Sequence, residues 1–415
     1  MSRRKALGYS AAVAALALGL AACDSGGNGD GGNGDADVDP LVIGQIAPES
    51  GSLAFLGPPQ IAAAELAVQD INDAGGIHGT EIPDIVNGDE GDDATLAQEA
   101  ADRMVTEGVS AVIGPAASGM AAATYDTITG AGIVQCSGST TAPDLSDIDD
   151  DGYFFRTAPS DDHAGPAMGQ VIVGDGHSTV AIGYRADDYG EGYADSLEAE
   201  LESVGAEVTA KVGYDPDTTN FDPIVSDMTD GDPDAFALVA FEEGTGVLAG
   251  LFEAGAEGDQ MYVTDGMQVD DLGERIDESD PGIVDGVSGV APGADAPEFS
   301  EALQEHTDGL DSEQFAAQVY DCVTIIGLAA EAAESTDPTE YVNEMAGVTQ
   351  DGTECSDFAE CRDLLADGED IDYQGKSGGI AFDDNGDPTQ STYQNFGYDD
   401  GGDQTVFGYE DIGGE

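Results

Sequence analysis

Short apolar runs alternate with longer stretches of helical periodicity from residue 41 onward. The run 41–46 (LVIGQI) reads as a strand, while 58–74 carries Ile61, Ala64, Val68 and Ile71 at helical spacing and ends at Gly75-Gly76, as helices do. The same pair recurs as strand 81–86 with helix 94–106, then as strand 110–113 with helix 118–129 ahead of strand 133–136. Further on, strands at 178–184, 206–213, 234–241 and 261–264 alternate with helices at 190–204, 221–229 and 245–254. Strands separated by helices of this length form parallel sheets with right-handed crossovers. The pattern therefore predicts an α/β chain with two doubly wound parallel-sheet lobes.

In doubly wound sheets ligands sit beyond the carboxyl ends of the strands, where helices begin. That rule selects 50–57, 114–119 and 136–143 from the first half, and 187–190, 241–245 and 264–267 from the second. A site built from all six lies between two lobes, a favoured place for small-ligand binding.

The first 40 residues stand outside this rhythm. Arg3, Arg4 and Lys5 precede an apolar stretch at 11–22, and Leu20-Ala21-Ala22-Cys23 has the form of a lipobox. Residues 1–22 are thus expected to be a cleaved signal peptide, with Cys23 the lipid-modified first residue of the mature chain. The stretch falls short of the roughly 20 apolar residues of a membrane span. Ser2-Arg3-Arg4 leaves both the Sec and twin-arginine routes open. Residues 23–40, dominated by Gly, Asn and Asp, read as a flexible tether with a reach of about 20–25 Å. The expected location is the outer face of the cytoplasmic membrane.

Charge narrows the partners. Ten Lys plus Arg against 86 Asp plus Glu give a formal charge of -76, which repels nucleic acid and anionic lipid. Because 40% of residues are hydrophobic and regularly patterned, the charge reads as a solvated surface suited to high salt rather than as disorder. Outside the cytoplasm cysteines pair. With Cys23 taken by lipid, Cys355 and Cys361 are close enough in sequence to close a small ring, and Cys136 is left with Cys322.

Catalytic and cofactor motifs fail on context. Ser377 sits in a literal G-x-S-x-G, but an acidic loop precedes it and a strand at 379–382 follows, the reverse of a nucleophile elbow. Gly244, Gly246 and Ala249 imitate a dinucleotide fingerprint, yet Glu242 and Glu243 would face the pyrophosphate. The run 147–152 begins like a calcium loop but has Ala158 at its twelfth position. Four scattered His offer no metal spacing. No enzyme activity, metal or cofactor is expected.

What survives is a set of neutral donors at helix starts with one acid opposite. Ser118, after Gly114-Pro115, and Ser139 and Thr141, in the uncharged run 134–143, can hold an anion by hydroxyls and free amides. Asp265, after strand 261–264, can accept an ammonium. A ligand bearing both groups is an α-amino acid.

In order and spacing, IGQIAPESGSLAFLG (43–57), AVQDINDAGGIHG (67–79), VIGPAASG (112–119), STTAPDL (139–145), YFFRTAPSD (153–161), DDYGEG (187–192), TDG (264–266), VYDC (319–322) and IAFDDNGD (380–387) resemble the branched-chain amino-acid binding proteins of ABC transporters, of periplasmic-binding type 1 fold. The resemblance implies that Ser118, Ser139 and Thr141 hold the ligand carboxylate and Asp265 its amino group. It implies that Tyr189 and Phe241 close from the second lobe, and that Leu56, Ala116 and Ala117 line the side-chain pocket. It further implies three crossings between lobes, at 158–162, 290–294 and 370–378, which divide the chain into 41–159 plus 293–371 and 160–292 plus 372–415. A monomeric, lipid-anchored solute receptor delivering an amino acid to a permease is the implied role. The alternatives are the same fold binding an amide, urea or other small polar solute, and a ligand-sensing module.

Overall fold

The first sheet consists of β1 (Ile43–Ala47), β2 (Val86–Asp89), β3 (Ala111–Ile113), β4 (Val134–Ser137) and β5 (Phe154–Arg156). All are parallel, in the order β2-β1-β3-β4-β5. This computed structural model describes residues 38–307 and 309–413; the expected signal segment, Cys23 and the tether up to Asp37 lie outside the described residues. Helices α1 (Gly57–Asp73), α2 (Ala94–Glu107) and α3 (Ser118–Thr129) link the strands. Local chemistry sets the ends of α2: the Asp93 side chain accepts from Thr95 N and Leu96 N, and Gly108 stops the helix at φ 71°.

The chain passes to a second sheet through α4 (Asp161–Gly174). There β6 (Thr179–Arg185), β7 (Glu207–Tyr214), β8 (Ala235–Val239), β9 (Met261–Thr264) and β10 (Ser288–Pro292) run parallel. Between them lie α5 (Asp188–Val204), α6 (Asp222–Thr229), α7 (Thr245–Ala254) and the short α8 (Leu272–Ile276). Strands β3 and β8 are buried at every position, as expected where helices cover both faces of a sheet.

After β10 the chain returns to the first half. Helices α9 (Pro297–His306), α10 (Ala316–Ala332), α11 (Pro338–Tyr341) and α12 (Phe358–Ala366) follow, with a small sheet of β11 (Thr353–Cys355), β12 (Ile371–Gly375) and β13 (Gly378–Gly379). Finally β14 (Gln390–Tyr398) and β15 (Gln404–Gly413) join the second sheet antiparallel, giving β15-β14-β10-β9-β8-β6-β7.

Three expectations shift. Residues 81–85 are not strand: Pro83 interrupts the run, Ile82 is tied to the Asn72 side chain, and pairing with β1 begins only at Val86. The strand expected at 379–382 is reduced to the two residues of β13, with a lone bridge from Phe382 to Pro388. The last crossing falls between 387 and 390 rather than at 370–378. Tyr373, Ile380 and Phe382 pack in the first half's core, and the buried Arg156 guanidinium grips both Asp387 oxygens at 2.6 and 2.7 Å.

Cys136 is bonded to Cys322, and Cys355 to Cys361. The first link fastens the end of β4 to α10. A close approach at the next turn accounts for Gly138, where a Cβ would lie 2.7 Å from Val319 N of α10.

Candidate functional site

Three strand ends of the first sheet and three of the second converge on one cavity. Its wall comprises Leu53, Leu56, Ala116, Ala117, Ser118, Ser139, Thr141 and Phe315 from the first half, with Tyr189, Phe241, Asp265 and Gly266 from the second. All nine ligand-contact residues expected from sequence, Leu56, Ala116, Ala117, Ser118, Ser139, Thr141, Tyr189, Phe241 and Asp265, line it together. The walls stand close: the free space is about 10 Å3, about what one water needs. A larger open cleft of about 490 Å3 shares Phe315 with it and is bordered largely by carboxamides and carboxylates.

On the first half, the hydroxyl run lies against the segment before α3. Ser137 Oγ donates to Pro115 O at 2.7 Å and Ser139 Oγ to Ala116 O at 3.0 Å, while Ser118 Oγ accepts from Thr141 N and Ala142 N at 3.3 and 3.2 Å. The two loops are thus stitched edge to edge. Thr140 Oγ1 is buried without a partner.

Not all of the amides expected to await an anion here are free. Glu90, at the carboxyl end of β2 and fully buried, accepts from Ala116 N at 2.7 Å and Ala117 N at 3.0 Å. Burial pushes its carboxyl up to about 8 despite those two donors. The start of α3 is therefore partly filled by the chain itself, and the ligand-facing polarity reduces to Ser118, Ser139 and Thr141.

On the second half, the end of β9 turns directly into a single helical turn that buries Asp265. Tyr189 Oη donates to Asp265 Oδ1 at 2.8 Å and accepts from Thr264 Oγ1 at 2.7 Å, and Gln314 Nε2 donates to Asp265 O at 2.8 Å. Phe241 stacks on Tyr189 with centroids 5.1 Å apart. The aromatic wall and the acid are thus one bonded unit. Asp187 fixes where Tyr189 stands, because its side chain accepts from Gly190 N and caps α5.

A second acid was missed. Asp161, the first residue of α4, is buried, its amide donates to Thr141 O at 2.8 Å, and its Oδ2 has no partner. Burial, then the nearby Asp265 charge, raise its carboxyl well above the ordinary range. Burial likewise raises Asp265. Two acids and the buried hydroxyls of Tyr189, Tyr193 and Tyr393 therefore make an electronegative cluster that reaches the cavity through Tyr189 and Asp265. An uncompensated pair of buried carboxylates is costly, and a bound cation removes that cost.

Phe315 was also missed. It precedes α10 with φ 61°, a left-handed backbone that is uncommon for a bulky residue. Ser377 of the G-x-S-x-G run is buried, and its hydroxyl and amide both donate to the buried Asp321. Among the described residues no group of His, Cys, Asp and Glu is arranged to hold a metal ion, and no helix is long and apolar enough to cross a membrane.

The same architecture occurs in known proteins. The branched-chain amino acid transporter substrate binding protein LivJ from Streptococcus pneumoniae, in complex with isoleucine, superposes with a TM-score of 0.73 at 24% identity, covering 91% of this chain and 100% of that one. A solute binding protein from R. palustris in complex with 4-hydroxybenzoate gives 0.74 at 17% identity, over 90% and 97% of the two chains. In sequence, the chemotactic signal transduction system substrate-binding protein BasB of Halobacterium salinarum is 26% identical over 82% of this chain and 83% of its own length. The leucine-, isoleucine-, valine-, threonine- and alanine-binding protein of Pseudomonas aeruginosa is 28% identical over 46% of this chain and 51% of its own. Residues 40–363 match the model of the periplasmic binding protein family, and the chain belongs to that family.

Proposed function

We propose that this protein is an extracytoplasmic, lipid-anchored receptor that binds an α-amino acid, of branched-chain or similar type, and presents it to the permease of an ABC importer. The carrying observation is that Asp265 faces Ser118, Ser139 and Thr141 across one cavity, with the buried Asp161 bonded through its amide to Thr141. Asp265 matches an ammonium, the Ser/Thr hydroxyls match a carboxylate, and Leu53, Leu56 and Phe315 leave an apolar remainder for the side chain.

The cavity in its present form holds about one water, so solute entry needs the halves to separate. The connections between β5 and α4, β10 and α9, and residues 387–390 serve as the hinge. Solute then bridges the two walls and favours the closed form through its higher affinity for it. No step requires a cofactor or a bond broken in the ligand, so the proposed role is binding without turnover, by a monomer. Cys23 supplies the anchor, and the charge of -76 suits the surface to concentrated salt.

Benzoate-type ligands, carried by two of the structural neighbours, have a carboxylate but no cation. They would leave Asp265 uncompensated here, which favours the amino acid. A second reading, a sensor passing ligand state to a membrane partner, is favoured by the similarity to BasB and shares the same ligand chemistry.

Thermal-shift and calorimetric titration of the purified protein with amino acids, amides, urea and benzoate, in molar KCl, tests the ligand class. Stabilisation by a branched-chain or related amino acid is expected. Failure of every amino acid to stabilise the protein refutes the reading.

A further inference from the structure

The chain has ten Lys plus Arg, and one of them, Arg185 at the end of β6, is 2% exposed. Three carboxylates surround its guanidinium. Nε donates to Asp187 Oδ2 at 2.5 Å, and Nη1 lies 3.4 Å from both Glu243 oxygens. Nη2 reaches Asp92 Oδ1 at 3.3 Å and Oδ2 at 3.2 Å. Asp187 and Glu243 belong to the same half as Arg185. Asp92 does not: it sits in the turn between β2 and α2, held by Ser52 Oγ at 2.5 Å.

The same guanidinium lies flat against the binding wall. Its carbon is 3.6 Å from the Phe241 ring centroid, Phe241 stacks on Tyr189, and Tyr189 donates to Asp265. One side chain thus touches the opposite half through Asp92 and the ligand-facing aromatics through Phe241. Arginine suits this place, because its planar fork pairs with a carboxylate while its face stacks on a ring.

We propose that Arg185 is a positioning residue for solute binding: by pairing with Asp92 it latches the two halves shut, and by stacking on Phe241 it holds the Tyr189 wall in its binding orientation. The proposal rests on the reading of the cavity as a solute site. Parting the halves breaks only the Asp92 pair, since Asp187 and Glu243 move with Arg185. A contact that holds the halves shut slows release, and where it forms before solute arrives it does not speed capture.

The test uses stopped-flow binding of the amino acid that most stabilises the wild type, together with small-angle scattering of the ligand-free full chain. Asp92→Asn alters the opposite half alone, so it leaves the charge balance around Arg185's own half in place. Its expected effect is a rise of about tenfold in the dissociation rate, an association rate no lower than wild type, and a larger ligand-free radius of gyration. Arg185→Lys, which keeps the charge but loses fork and stacking, is expected to raise dissociation further. An Asp92→Asn protein with wild-type dissociation and scattering overturns the proposal. So does an Arg185→Lys protein whose only defect is a lower melting temperature. If no amino acid binds the wild type, the solute reading fails, and an unchanged ligand-free scattering curve for Asp92→Asn still overturns the latch.

Discussion

Opening the Cys136–Cys322 link is predicted to destabilise the fold far more than opening Cys355–Cys361. The first bond spans 186 residues of sequence and the second spans 6. In the chain-entropy model, loops of those lengths restrict the unfolded chain by about 5 and about 2 kcal/mol respectively. The long link also joins two elements that bury the same core: Cys136 precedes the Ser/Thr loop of the cavity wall, and Cys322 lies in α10, whose first turn follows Phe315. Urea unfolding in constant molar KCl, with oxidised and reduced wild type compared, isolates the cross-link because reduction leaves both sulfurs in place. A loss of about 3–5 kcal/mol is expected on reduction, and most of it should reappear in Cys136→Ala/Cys322→Ala but not in Cys355→Ala/Cys361→Ala. A loss below about 1 kcal/mol, with mass spectrometry confirming four free thiols, refutes the reasoning.

Asp265→Asn is expected to weaken amino-acid binding at least about thirtyfold by calorimetry, because it removes one charge of a buried ion pair, while a neutral amide ligand should be spared. Stability should fall with rising pH on account of Glu90. Its folded-state value is raised from 4.5 to about 8, so its contribution is present in full below about pH 4.5 and is lost as pH rises through about 8, by up to about 5 kcal/mol. Urea unfolding across that range measures the slope, which Glu90→Gln should flatten by one proton. The melting temperature should rise steeply between about 0.1 and 1 M KCl, where the screening length shrinks from about 10 to 3 Å; an unchanged value would refute the high-salt reading of the surface charge.

Helices with a strong apolar stripe and a glycine stop were legible, as α2, α5 and α7 show, and α3 begins and ends where its spacing indicates. The six segments that carry the nine cavity residues were legible for a topological reason, because parallel strands deliver their carboxyl ends to one side of a sheet. Leu56, Ala116, Ala117, Tyr189 and Phe241 were singled out within them by the family resemblance. What was not legible depends on long-range packing. Asp161 looks like an ordinary first-turn acid, and only the arrival of α4 beside Thr141 buries it. Glu90 is one carboxylate in an acidic run (DEGDD, 89–93) until Ala116 and Ala117 fold over it. The last crossing was placed at 370–378 from the family resemblance, and the buried Arg156–Asp387 pair that holds 371–387 to the first half joins residues 231 apart, beyond the reach of local pattern.

That crossing has a consequence for how the chain matures as it is made or threaded through a membrane pore. Each half is assembled from pieces far apart in sequence: the first core waits for α10, β12 and Phe382, and β10 waits for β14 to cover its outer edge. A nascent chain of 300 residues therefore has neither half complete, and it presents the bare edge of β10 as a template for wrong pairing. The hairpin formed by β14 and β15 ends that exposure, so truncation before Gln390 is expected to yield aggregation rather than a smaller binding protein.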